Sequence, residues 1–148
     1  MDAVLLEHMM NPKNYGVLEH SNAEGIGKNP HNSEKVIVFL SVSNGGNIYV
    51  IEDIRFQAIG CMTTVLAGSI ITNEARGLDF DKAEALVSTT LGMLDRIPPE
   101  EAACSEMVAL ALQAAIDTYK ERQKDSDFPM ITYKISQNCT PQGVDINE

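Results

Sequence analysis

Cys61, Cys104 and Cys139 have the most chemistry to offer, because a thiolate is both a nucleophile and a soft metal ligand. They are odd in number and widely spaced, with no Cys-x-x-Cys pair, so they form neither a disulfide framework nor a local zinc motif. Any one of them could be a small buried hydrophobe. Two stand where helices are expected to begin. Cys61 follows a strand and opens a helix over 61–76, and Cys104 precedes a helix over 105–123 with Ser105 as its candidate cap. Free N–H groups and the positive dipole end at a helix start favour thiolate. That placement favours reactive or ligating thiols. A thiol–disulfide pair is a further reading, and requires Cα atoms under roughly 7 Å apart.

The elements that must position these thiols can be read from periodicity. Asp2 caps a short helix to Met10, which Asn11-Pro12 ends. Residues 13–35 read as a long loop holding Gly16, Gly25, Gly27 and Pro30, with apolar anchors at Tyr15, Val17, Leu18 and Ile26. A β-branched strand over 36–43 turns at Asn44-Gly45-Gly46-Asn47 into a return over 48–51. Asp53 marks a break, and 54–58 alternates as a third strand. Gly77 ends the helix that follows Cys61, and Asp79 caps another over 80–87. A short helical piece over 90–95 stops before Pro98-Pro99. In the last helix Val108, Leu112, Ala115, Ile116 and Tyr119 make one apolar stripe. The expected fold is α+β, a three-stranded antiparallel sheet packed against helices over residues 1–124. Residues 125–148 form a C-terminal extension whose alternating 130–136 could add a strand.

Composition excludes several classes. The chain has 148 residues and a formal charge of −10, which argues against binding nucleic acid by phosphate neutralisation. Tryptophan is absent and aromatics are 5%, so base stacking is also disfavoured. No apolar run approaches the length of a membrane span, and the acidic N-terminus lacks the basic start of a signal peptide. The expectation is a cytoplasmic protein that neither binds nucleic acid nor enters a membrane.

Three blocks carry a family likeness. His8-Met9-Met10-Asn11-Pro12-Lys13-Asn14-Tyr15-Gly16 resembles the N-terminal signature of the NifU/IscU family of iron–sulfur cluster assembly scaffolds. The stretch from Ile51 to Cys61 is similar to that family's Ile-x-Asp-x-x-Phe-x-x-x-Gly-Cys. Ile97-Pro98-Pro99, followed by Cys104-Ser105, resembles its Leu-Pro-Pro segment and the cysteine after it. The likeness runs in register from about residue 4 to 123. It implies a non-enzymatic scaffold that receives sulfur and iron at Cys61 and Cys104 and hands on a cluster. The implied partners are a cysteine desulfurase and acceptor apo-proteins, and the implied cofactor is an iron–sulfur cluster or zinc.

The resemblance also implies ligands that this chain lacks. The family's Cys-Gly-Asp falls on His31-Asn32-Ser33-Glu34-Lys35, which puts Ser33 at the cysteine and Lys35 at the aspartate. The histidine before the third cysteine is Ala103. Two thiolates do not close a tetrahedral or [2Fe–2S] site, which takes about four ligands. Three sources could complete it: His31, Cys139, or a homodimer that joins two Cys61 and two Cys104. Glu100 and Glu101 replace the valine and lysine of the stretch that a specialised Hsp70 chaperone reads in the family, so a rigid turn is the simpler account of Pro98-Pro99. The alternative to a working scaffold is a divergent paralogue that keeps the fold, has lost the cluster, and serves as a protein-binding or regulatory module.

Overall fold

The computed structural model describes residues 3–136. In chain order the elements are α1 (Ala3–Met10), β1 (Ala23–Lys28), β2 (Lys35–Asn44), β3 (Tyr49–Ile59), α2 (Met62–Ala75), α3 (Phe80–Gly92), a 3-10 turn (Leu94–Arg96), α4 (Pro99–Arg122) and β4 (Ile131–Lys134). The strands form one sheet in the order β3-β2-β1-β4. β1, β2 and β3 pair antiparallel, and β4 joins β1 in parallel. The three-stranded antiparallel expectation is therefore corrected to a four-stranded mixed sheet, in which the strand over 131–134 is supplied by the extension.

Two strand assignments change as well. The strands expected over 48–51 and 54–58 are one strand, Tyr49–Ile59. The register shift between Ser41 and Val42 places Ser41 opposite Asp53 and Val42 opposite Ile51, so Glu52 is the extra residue of a bulge. Asp53 faces the side of the sheet that no helix covers, where Arg76 pairs with it. The strand read as loop is β1, Ala-Glu-Gly-Ile-Gly-Lys. Its inward positions are Ala23, Gly25 and Gly27, and only residues without bulk fit there. A Cβ on Gly25 would stand 2.1 Å from the backbone nitrogen of Ala115, and one on Gly27 2.0 Å from the carbonyl oxygen of Met107. Backbone-to-backbone packing of α4 on β1 thus requires the glycines that hide the strand from a hydrophobic pattern.

α4 also begins earlier than its apolar stripe suggests. Pro98 is its N-cap, Pro99 sits in its first turn, and Glu100 and Glu101 follow at the positive dipole end. Cys104 is consequently inside α4, and the expectations that Cys104 precedes a helix and Ser105 caps it are overturned. α3 starts as expected, with the Asp79 carboxylate accepting from the Lys82 N–H at 2.9 Å, and the helical piece expected over 90–95 is divided between its end at Gly92 and the 3-10 turn Leu94–Arg96. Between sheet and helices lie Val36, Val38, Leu40, Ile54, Phe56, Met107, Leu112 and Ile116, all essentially inaccessible. No described helix is long and apolar enough to cross a membrane.

Residues 11–16 are pinned rather than loose. Phe56 N–H donates to the Asn14 carbonyl at 2.9 Å and Gly16 N–H to the Phe56 carbonyl at 2.8 Å, while the Tyr15 ring stands edge-on to Phe56. Buried His8 shares the Ser69 hydroxyl of α2 with the Lys13 N–H, at 2.6 and 2.7 Å. Asn14 bonds Thr72 and Arg76, and Arg76 in turn holds Asp53. The His8-to-Gly16 signature therefore docks α1 and its loop on α2 and on the edge of β3.

Candidate functional site

Cys61 is the N-cap of α2, with extended backbone (φ −95°, ψ 179°), and it is exposed. Partial burial works to raise its thiol pKa. The backbone N–H groups of Thr64 and Thr63, followed by their hydroxyls, act in the other direction and leave the pKa below its ordinary value. This is the thiolate-favouring environment expected at a helix start.

Cys104 is its opposite. It sits in the second turn of α4 at 5% exposure. Burial pushes its thiol up to about 11, the Thr64 hydroxyl opposes this, and the charges of Cys61 and Glu34 add to the rise. The helix-start argument for a reactive Cys104 thus fails, because no free N–H of α4 reaches that far into the helix.

Thr64 joins the two. Its side chain is fully buried, its Oγ1 donates to the Cys104 Sγ at 3.1 Å, and the Cys61 Sγ lies 3.9 Å from the same oxygen. The exposed thiol and the buried one therefore share one hydroxyl. Gly60 makes this close assembly possible, since a Cβ there would lie 2.9 Å from Thr64 Oγ1 and 3.5 Å from the Glu34 carboxylate carbon. Thr64 and Glu34 are the two site residues that sequence reasoning missed. A hydroxyl three residues beyond a cap is a legible signal, as this places it on the first helical turn beside the capping residue. Nothing local marks Glu34, which reaches the site only because the β1–β2 turn folds against Gly60.

His31 is exposed, and its backbone N–H donates to Asn29 Oδ1 at 2.9 Å. Ser33 is exposed in the left-handed region (φ 67°). Ser33 and Lys35 line a cavity of about 350 Å3 on the uncovered side of the sheet, with Ile26, Lys28, Ile59 and Thr132. Ala103 is buried in the core. Cys139 lies outside the described residues, as does Asp2, the cap expected for α1. Among the described residues no group of three or more His, Cys, Asp or Glu side chains could hold a metal ion. Among the described residues the structure brings Cys61 and Cys104 together, with Thr64 and Glu34 beside them, and forms no set of three metal-binding groups there. Beside Cys61 opens an apolar cleft of about 570 Å3, lined by Met9, Pro12, Tyr15, Gly60, Met62 and Val65.

The sequence model of the NifU-like N terminal domain matches residues 1–126. The chain belongs to this family. It is 28% identical over 124 residues to the iron–sulfur cluster assembly scaffold protein IscU of Escherichia coli K12, covering 81% of this chain and 94% of that one. With the protein of the same name from Aquifex aeolicus it shares 30% identity over 120 residues, 80% of this chain and 75% of the relative. The crystal structure of a nitrogen-fixing NifU-like protein (N-terminal) from Brucella abortus superposes with a TM-score of 0.68 at 17% identity, over 82% of this chain and 94% of that one. That likeness establishes a NifU-like α+β fold. None of Ser33, Lys35 and Ala103 carries a side chain suited to binding iron or zinc at neutral pH.

Proposed function

We propose that this NifU-like domain is a scaffold for iron–sulfur cluster assembly, a carrier with no turnover of its own. Cys61 accepts sulfur and Cys104 is the second thiolate that holds the growing cluster. The observation that carries this reading is the pair of unlike thiols on one buried hydroxyl. Cys61 is exposed with a lowered pKa, and Cys104 is held in reserve 3.1 Å from Thr64.

The sulfur step balances without an external oxidant. The Cys61 thiolate attacks the terminal sulfur of a persulfide on a cysteine desulfurase. The S–S bond of that persulfide breaks, its inner sulfur leaves as the desulfurase thiolate, and Cys61 becomes the persulfide. The apolar cleft beside Cys61 gives the donor a surface to press against while the thiolate stays reachable. Iron arriving at the site then displaces the proton that Cys104 holds, since the metal itself favours the deprotonated thiol.

Cluster and iron are cargo here, and a [2Fe–2S] unit takes about four protein ligands. The remaining ligands come from outside the described part of one chain, namely Cys139 or the Cys61–Cys104 pair of a second copy. Release to an acceptor apo-protein is eased by an incomplete set of resident ligands. The test is anaerobic incubation with a desulfurase and cysteine, followed by ferrous iron and a dithiol reductant, which supplies the two electrons that convert persulfide sulfur into sulfide. Mass spectrometry is expected to find one added sulfur on Cys61, none on Cys104, and no cluster iron or acid-labile sulfide in Cys61→Ser. Wild-type protein that gains neither sulfur nor iron would sink the proposal.

A further inference from the structure

The side of the sheet that the helices leave uncovered gathers cations at one end. Lys28 alternates with inward Gly27, Lys35 with buried Val36, and Lys134 with Tyr133, which bonds Asp117 of α4. All three lysines therefore stand on the uncovered side. Register sets Lys35 opposite Lys28 and Lys28 opposite Lys134, with Ile59 completing the row. Facing residues on neighbouring strands are about 5 Å apart, and like charges in that position repel. Two such pairs share one row here.

No carboxylate answers them. The chain carries 21 acidic residues against 11 basic, yet among the described residues none of the three lysines enters an ion pair or a side-chain hydrogen bond. Glu24, on the same face of β1, lies four residues along the strand from Lys28, about 13 Å away, and it holds Arg122 at 3.3 Å. Glu34, next to Lys35 in sequence, has its carboxylate beside Gly60.

The cavity of about 350 Å3 against this row is lined by Ile26, Lys28, Ser33, Lys35, Ile59 and Thr132. Its polar side chains are two ammonium groups and two hydroxyls, and no carboxylate is among them. Neither hydroxyl has a side-chain partner among the described residues. Four groups able to donate, with no negative charge beside them, suit an oxyanion. The volume is that of a small-molecule site. Two ammonium groups on the cavity and a third abreast match a dianion better than a monocarboxylate, and lysine binds phosphate as a point charge. Ile26 and Ile59 add apolar surface that a bare ion would not use.

We propose that this cavity is a binding site for a phosphate dianion, with the two isoleucines favouring a small phosphate monoester of apolar body over the free ion. Lys28 and Lys35 hold the phosphate oxygens, Ser33 and Thr132 donate hydrogen bonds to them, and Lys134 adds charge from the next strand. Binding replaces repulsion between neighbouring lysines with attraction to a shared charge. The site is independent of whether Cys61 or Cys104 takes sulfur or iron.

Amide NMR of the 15N-labelled full chain at pH 7.5, where a phosphate monoester is mostly dianionic, tests this. The titrants are inorganic phosphate, butyl phosphate, and chloride at matched ionic strength. Both phosphates are expected to shift Lys28, Ser33, Lys35 and Thr132 saturably, and chloride is not. Severalfold tighter binding of butyl phosphate assigns the site to a monoester, and equal affinities assign it to the free ion. The double variant Lys28→Gln, Lys35→Gln should lose affinity about tenfold or more, because two charge-assisted contacts go. Its urea midpoint without phosphate should be no lower than wild type, since a repelling pair is removed. Lys35→Arg keeps the charge and should still bind. Shifts that chloride reproduces, saturation at other residues only, or undiminished binding by the double variant would each overturn the proposal.

Discussion

At the scale of single residues, the two thiols differ because one is outside a helix and the other inside. Iodoacetamide should label Cys61 at least tenfold faster than Cys104 at pH 7–8, since alkylation follows the thiolate fraction and access. Peptide mapping of partly labelled protein measures this directly. Thr64→Val keeps the volume and removes the shared hydroxyl. It should raise the Cys61 pKa and slow its labelling severalfold, at a stability cost of about 1 kcal/mol for the lost buried hydrogen bond. A Cys61 labelling profile unmoved by Thr64→Val would refute the bridging role. Cys104 also has a signature in stability. Its folded pKa is raised to about 11, so from the unfolded value near 9 upward the native state retains a proton that the unfolded state has lost. Its contribution is complete below pH 9 and is lost as pH rises toward 11. Urea midpoints across that window should fall more steeply for wild type than for Cys104→Ala.

Among elements, the contact between α4 and β1 is the tightest. Gly27→Val would drive a side chain into the Met107 carbonyl, and overpacking of this kind costs about 1–3 kcal/mol or more. A urea midpoint equal to wild type would show that α4 can move away from the strand. At the other extreme α1 is a short helix whose only buried residue is His8. Its outer residues Val4, Leu6 and Met10 are exposed. His8→Ala should release α1 and residues 11–13 from Ser69, seen as faster amide exchange there and unchanged exchange in α4.

Over the whole molecule, β4 closes one edge of the sheet and ties the chain beyond α4 back onto it. Tyr133 donates to Asp117 of α4 at 2.5 Å, Thr118 accepts from the Ile131 N–H at 3.0 Å, and Arg122 reaches both Glu24 and the Phe128 carbonyl. Tyr133→Phe should cost about 1 kcal/mol. It should also abolish the phenol titration, which the Asp117 bond, burial and that carboxylate's charge together push up to about 12. An ultraviolet titration of the tyrosines reads this shift. Wild-type Tyr133 titrating near pH 10 would show that the strand is not seated on α4.

The sequence alone determined the helices with strong caps or stripes and the family that the motifs announce. Asp79 caps by a side chain three residues from its partner, and Cys61 starts its helix beside Gly60, so local chemistry suffices in both cases. β1 was invisible because its inward residues are glycines chosen for a helix nearly ninety residues away. The start of α4 was misplaced because prolines that usually stop helices here begin one. Cys61 and Cys104 were named as candidates from their types and expected positions. Only the tertiary structure decided that one is exposed and the other buried, and that Thr64 and Glu34 belong beside them. It also placed Ser33 and Lys35 at a cavity on the uncovered side of the sheet. Such facts depend on which backbones pack within a few ångströms of one another, and that is settled by the whole core rather than by any local window.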